Sequence, residues 1–206
     1  MNKTVYALLA ATLVVCVFAQ DKDKDDHDGP QKGKEPHSSR WRVSWAVDGD
    51  GAKMNMTPKR ATIAKLVSFK RPAVLPKNGK PAEKYRTHRV APVETTIWTI
   101  RGNVVSVAAE HDGDYRLIVA DAKGNKVSCV MPDPALAPIR GKYSKMVDEA
   151  RAVVVKKFKP TFDPRDVNVP VEVTGLGYFG RLNSDANPSP EGFQLHPVIK
   201  VRFPAK

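Results

Sequence analysis

The chain has 206 residues, 41% of them apolar and 27% charged, enough for one domain with attachments or two small ones. That balance fits a folded protein, and a mean hydropathy of -0.40 excludes a polytopic membrane protein. Two cysteines exclude a disulfide-dense scaffold, and a net charge of +12 directs attention to anionic partners: nucleic acid, envelope polymer or acidic lipid.

The chain opens with Asn2 and Lys3, then an apolar run from Val5 to Ala19 interrupted only by Thr12. Fifteen helical residues reach roughly 22 Å, short of a hydrocarbon core of about 30 Å. Val17 and Ala19 are small enough for the -3 and -1 sites of a signal peptidase, so residues 1–19 are read as a cleaved secretory signal. Lipidation at Cys16 is disfavoured, because Val15 stands where a lipobox has a small residue. Secreted or periplasmic residence is expected, with no membrane span in the mature chain. Cleavage leaves Cys129 as the only cysteine, and its alternation with Val127 and Met131 assigns it to the core.

Residues 20–40 hold five basic and six acidic side chains and nothing apolar larger than proline. Such a segment cannot offset its ordering entropy and is read as a disordered tether, which leaves the whole positive balance on residues 41–206. Alternating aspartates at 21, 23 and 25 fail as a calcium loop, since Asp26 and Lys32 occupy the places of its glycine and glutamate.

Residues 41–94 are read as an extension. Trp41, Val43, Trp45 and Val47 alternate with smaller or polar residues, which predicts a half-buried strand ending at Asp48-Gly49-Asp50-Gly51, with residues 53–56 as its return partner. Thr62 is placed to cap a short helix through Ile63, Leu66 and Val67. Four prolines between Lys70 and Pro92 predict an irregular crossing segment. The extension is expected to pack on the main domain, because its tryptophans would not stay in water.

Residues 95–206 carry the regular pattern. Thr95–Ala109 reads as a long strand bent at Gly102. Asp112-Gly113 and Lys123-Gly124-Asn125 turn the chain into strands around Leu117 and Val127. Tyr143, Met146, Val147, Ala150, Val154 and Phe158 recur at helical spacing, and Pro160 stops the helix. Val171 and Val173 mark a fourth strand closed by Gly175 and Gly177; Leu195, Ile199, Val201 and Phe203 mark a fifth. Three meandering strands, a helix and two strands match an OB-like five-stranded Greek-key barrel with one helix between strands 3 and 4. The fold class is mainly β.

Within this frame, Arg89-Val90-Ala91-Pro92-Val93-Glu94-Thr95-Thr96, Asp112-Gly113-Asp114-Tyr115, Pro132-Asp133-Pro134, Glu149-Ala150-Arg151 and Val173-Thr174-Gly175 occur in one order. They resemble a group of exported bacterial proteins whose closing pattern is G-x-G-F-F-D-x-x-H-G-Q-T-G-x-x-x-N-G-x-E-L-H-P-V. Gly192, Leu195, His196, Pro197 and Val198 match it. The resemblance implies export and a small barrel, not a reaction. Where that pattern carries acids, histidines and a glutamine, this chain has Gly180, Asn183, Asp185 and Gln194, and Arg116 stands where the group has a histidine. One imidazole cannot build a zinc site, so no metal or cofactor is expected.

Two functions are compatible with these residues. The first is a non-catalytic binding or structural module for an anionic polymer, nucleic acid or glycan, with ligand contacts at His196, Arg116, Lys200, Arg202 and Tyr178. Arg101, Lys156 and Lys157 would join the basic groove, and Trp98, Phe179 and Phe193 would join Tyr178 as aromatic platforms, although Trp98 and Phe179 read more readily as core residues. The second is a cryptic or degraded hydrolase using His196, read as outward-facing, with Asp185.

Overall fold

The structure, a computed structural model, describes residues 40–77, 80–135, 140–180, 182 and 187–204. The predicted signal, nearly all of the predicted tether, and Asn183 and Asp185 lie outside the described residues.

Six strands form the sheet: β1 (Lys59–Arg60), β2 (Ile97–Ala109), β3 (Tyr115–Ala120), β4 (Lys126–Met131), β5 (Arg165–Phe179) and β6 (Phe193–Arg202). Their order is β1-β2-β3-β4-β6-β5, and β2 pairs β5 as well. The β2–β3, β3–β4, β5–β6 and β2–β5 pairs are antiparallel; β4–β6 and β1–β2 are parallel. The protein is mostly strand, with few helices, as the alternation predicted.

Helix α4 (Ser144–Phe158) lies between β4 and β5 in the chain. It places Ala150, Val154 and Phe158 in the main core with Val104, Leu117 and Leu195. Cys129 is fully buried in that core, and burial pushes its thiol well above the usual range.

The predicted bend and the predicted strand ends differ in detail. β2 runs through Gly102, and its irregularity falls between Val104 and Ser106 in both neighbouring ladders. Gly102 serves close approach instead, since a Cβ there would stand 2.5 Å from the Ala120 carbonyl oxygen. Gly177 likewise stays inside β5, because a Cβ would meet the Val93 carbonyl at 2.3 Å. These glycines admit neighbouring backbone rather than end strands.

The extension is corrected most. The predicted strand at 41–47 is helix α1 (Trp41–Ser44), followed by α2 (Gly49–Lys53). The Asp48 carboxylate accepts from Gly51 N at 2.8 Å and caps α2, a choice that aspartate before glycine makes easy. Trp41, Val43 and Trp45 are all buried regardless, so the period of two recorded burial on several sides and not a pleat. The return partner predicted at 53–56 is replaced by β1. Helix α3 (Ile63–Val67) forms as expected, with Thr62 Oγ1 accepting from Lys65 N at 3.1 Å.

The extension packs on the rest of the protein. Ala46 and Met54 join Tyr143, Val147, Leu176 and Ile199 in a second apolar cluster, and Tyr143 donates to the Gly51 carbonyl at 2.9 Å. Arg40, assigned by composition to the tether, is buried. Its guanidinium meets Glu94 in two bonds, Nη1 to Oε1 at 2.9 Å and Nη2 to Oε2 at 2.7 Å. Glu94 also accepts from Phe179 N at 2.9 Å and from Val90 N at 2.8 Å. A partner 54 positions away is invisible to local composition, which is why Arg40 reads as tether.

Removing the arginine strands this carboxylate away from water. Arg40→Ala should lower the unfolding free energy by about 3–5 kcal/mol, the cost of leaving a buried charge unpaired. Denaturant titration of the two proteins measures it; a loss below about 1 kcal/mol, the value of an exposed pair, would show that Glu94 is solvated.

Candidate functional site

Alternation along β3, β4 and β6 turns Leu117, Cys129 and Leu195 into the core, which sends Arg116, Ser128, Gln194 and His196 to the opposite face. There they form a polar row. Arg116 Nε donates to Glu110 Oε1 at 2.6 Å and its Nη1 to Ser128 Oγ at 2.8 Å. Ser128 is the register partner of Gln194, whose Nε2 lies 3.5 Å from His196 Nδ1. The Tyr178 ring meets the His196 ring edge-on at 5.6 Å, and the Arg40 guanidinium stands 5.1 Å from the centre of the Tyr178 ring.

This face is the outer one, yet it is covered. His196 is only 9% exposed, which corrects its reading as an accessible outward residue. The cover is the extension: Arg40 reaches Tyr178, and Arg89 is near enough for its charge to act on His196. Gly180 presses on the same row, since a Cβ there would sit 2.3 Å from Gln194 Nε2. His196 Nε2 and Ser189 Oγ are buried without a hydrogen-bond partner. Burial first, then the Arg116 and Arg89 charges, lower the His196 pKa to about 3, so the ring is neutral near pH 7.

Lys200 and Arg202 lie elsewhere, at the far end of β6, and both are exposed as expected. Their neighbours across the sheet are Glu172 on β5, Arg101 on β2 and Arg60 on β1. Glu172 Oε2 accepts from Arg101 Nε at 2.7 Å and from Arg60 Nη1 at 3.2 Å. The Arg60 and Arg101 side chains remain 68% and 72% exposed. Two clefts open from this cluster. One of about 380 Å³ is lined by Arg101, Gly102, Glu172 and Arg202; one of about 570 Å³ runs between the sheet and α4.

The five predicted ligand residues therefore divide: His196, Tyr178 and Arg116 share the covered row, while Lys200 and Arg202 belong to an open basic face. Of the two readings of the aromatics, platform or core, the structure has the core one. Phe179 and Phe193 are core, Tyr178 is buried, and Trp98 packs on Phe69 while its Nε1 donates to the Val93 carbonyl at 3.0 Å. Lys156 and Lys157 stand exposed on the last turn of α4. Arg60 and Glu172 were missed. Glu172 had a signal, its polar place between Val171 and Val173, whereas Arg60 sits in a two-residue strand with none.

Among the described residues no group of three His, Cys, Asp or Glu side chains could hold a metal ion, and no helix is long and apolar enough to cross a membrane. No family profile matches the chain, and no curated protein matches it. Among solved structures it is similar to a Leishmania major Friedlin protein described as an aspartyl-tRNA synthetase, at 11% identity and a TM-score of 0.39. That match covers 74% of this chain and 22% of the other, so this chain spans about a fifth of its length. A likeness at that score carries no argument.

The His196 pKa has a consequence for stability. Its folded value lies below its ordinary 6.5, so the unfolded chain takes the proton first. The contribution is intact above pH 6.5 and is lost as pH falls toward 3, at up to about 1.4 kcal/mol per pH unit for one proton. Asp114 has the opposite sign, because burial raises its pKa above 3.8, but that contribution is common to both proteins and cancels in a comparison. His196→Gln should therefore show a shallower loss of stability between pH 6 and 4 than wild type, read by denaturation at stepped pH. Parallel curves would place His196 in water.

Proposed function

We propose that this chain is an exported, non-catalytic binding module built on an OB-like barrel, and that an anionic polymer is held on its open basic face. The barrel is supported by the pairing order β2-β3-β4-β6-β5, with β5 on β2 again and α4 between the third and fourth of these strands. Export rests on the leader-like first nineteen residues.

One observation carries the ligand. Arg60, Arg101, Lys200 and Arg202 cluster on adjacent strands around Glu172, the one carboxylate on those strands that pairs with the arginines, with most of the arginine side chains in water. Exposed like charges repel one another, and a polyanion relieves that repulsion while releasing its counterions. Since Trp98, Tyr178, Phe179 and Phe193 are packed in or against the protein interior, recognition by charge favours a sulfated, phosphorylated or uronate-bearing chain over a stacked single strand. The hydrolase alternative has less support, as His196 is buried and its lowered pKa makes it a weak base.

The test is titration of the mature protein with a sulfated glycan and with single-stranded DNA at about 50 and 200 mM salt. Binding should weaken with salt for both and be tighter for the glycan. Replacing Arg101 and Arg202 with glutamate should cost roughly tenfold or more at low salt and reduce the salt slope. Absence of salt-sensitive binding overturns the reading.

A further inference from the structure

The larger cleft beside the basic face differs from it in character. Its volume is about 570 Å³, within the range of small-molecule sites. Its walls are mixed, with Thr99 and Thr174 on the sheet, and their apolar part is Met56 and Pro58 from the extension, Met146 and Val153 from α4, and Ile199 and Val201 from β6. Large apolar side chains stand exposed at few places among the described residues, and two of these, Met56 and Val153, line this cleft. Wet methionine and valine facing each other across a groove are a surface awaiting apolar matter. Unbranched thioethers adapt to a flexible chain better than branched side chains do.

The rim is charged. Arg60 and Lys200 line it, together with Glu149 and Glu172. Glu172 is already shared by Arg60 and by Arg101, which lies outside this cleft, so the two cations and two carboxylates of the rim balance in charge while Lys200 is left as the cation not engaged by Glu172. Lys200, exposed on β6, forms no ion pair among the described residues.

We propose that this cleft binds a small amphiphilic anion, one carboxylate-like head against Lys200 and Arg60 and a linear apolar tail along Met56, Met146 and Val153. The ligand is a free amphiphile rather than a membrane, since the groove is bounded by α4 on one side and by the sheet on the other. The inference is separate from the polymer reading: it stands on the apolar walls, which play no part there, although the two sites share Arg60 and Lys200.

Calorimetric titration of the full chain with dodecanoate below its micelle concentration tests it. Saturable one-to-one binding is expected, at least tenfold weaker in Val153→Asp, several-fold weaker in Lys200→Gln, and undetectable with acetate. Met56→Gln gives a second reading of the walls should the aspartate disturb α4. Arg202→Glu, which lines only the smaller cleft, should leave dodecanoate binding within twofold while weakening the glycan; Val153→Asp should do the reverse. The two proposals can thus fail separately. Lack of saturation, unchanged affinity in a folded Val153→Asp or Met56→Gln protein, or binding solely to vesicles of anionic phospholipid overturns the amphiphile site.

Discussion

A carboxylate without access to water organises this molecule. Glu94 is fully buried, and its two oxygens take up four donors: both arms of Arg40, the Phe179 backbone and the Val90 backbone. Those donors come from the start of the extension, from the segment just before β2, and from the end of β5. Desolvating such a pair costs several kcal/mol per ion, and only complete hydrogen bonding returns it. That requirement locks three distant parts of the chain into one arrangement. A second pair repeats the logic beside it. Arg89 is buried against Asp48, with Nη2 at 2.8 Å from Oδ2, and its other donors reach the Val43 and Glu94 carbonyls. Asp48 in turn caps α2, so one carboxylate both starts a helix and neutralises a buried cation.

This polar interior explains why the row ending in His196 differs from the basic face although both lie on β6. Near Gln194 and His196 the extension has come down on the sheet with its own cations, Arg40 and Arg89. Burial first, then the charges of Arg116 and Arg89, keep the imidazole neutral and leave an additional cation unwelcome. Past Lys200 that cover gives way to the cleft, and β6 carries lysine and arginine in water. Exposed pairs such as Arg101 with Glu172 add little to stability, in the range of about 0–1 kcal/mol. Four cations kept there serve the surface rather than the fold. The same residue type is thus scaffold at one end of a strand and candidate recognition element at the other.

How much of this the sequence disclosed depends on range. Strands β2, β3, β4 and β6 were legible because glycine-bearing turns or a helix separate them and alternation states which face is inside. The helix at Ser144–Phe158 was legible from its apolar stripe, and Thr62 as a cap from its position alone. The extension was not. Trp41, Val43 and Trp45 alternate as a strand would, but four helical residues closed on by Arg89 and the second apolar cluster bury the same set. Arg40 looked like the last charge of a tether because its partner is Glu94, and no local rule reaches so far. His196 showed the same limit: alternation placed it correctly on the outer face, and nothing in β6 could report that other segments cover that face.

Helix α4 holds more apolar surface than the core uses. Its inward stripe, Ala150, Val154 and Phe158, belongs to the main core, and Tyr143 and Val147 belong to the cluster shared with the extension. Met146, Ala150 and Val153 fall on a neighbouring stripe at spacings of four and three residues, so they too lie along one flank of the helix. An apolar helix face wider than its core contact has no folding reason to stay apolar. β6 ends beside it with Lys200 and Arg202 in water, and the extension supplies Met56 opposite. Core formation accounts for Ala150 and, through the second cluster, for Met146, and leaves the exposed Val153 unexplained. A groove with methionine and valine along it and the charges of Arg60, Lys200, Glu149 and Glu172 at its edge is what that remainder of the helix, one strand end and one methionine together create.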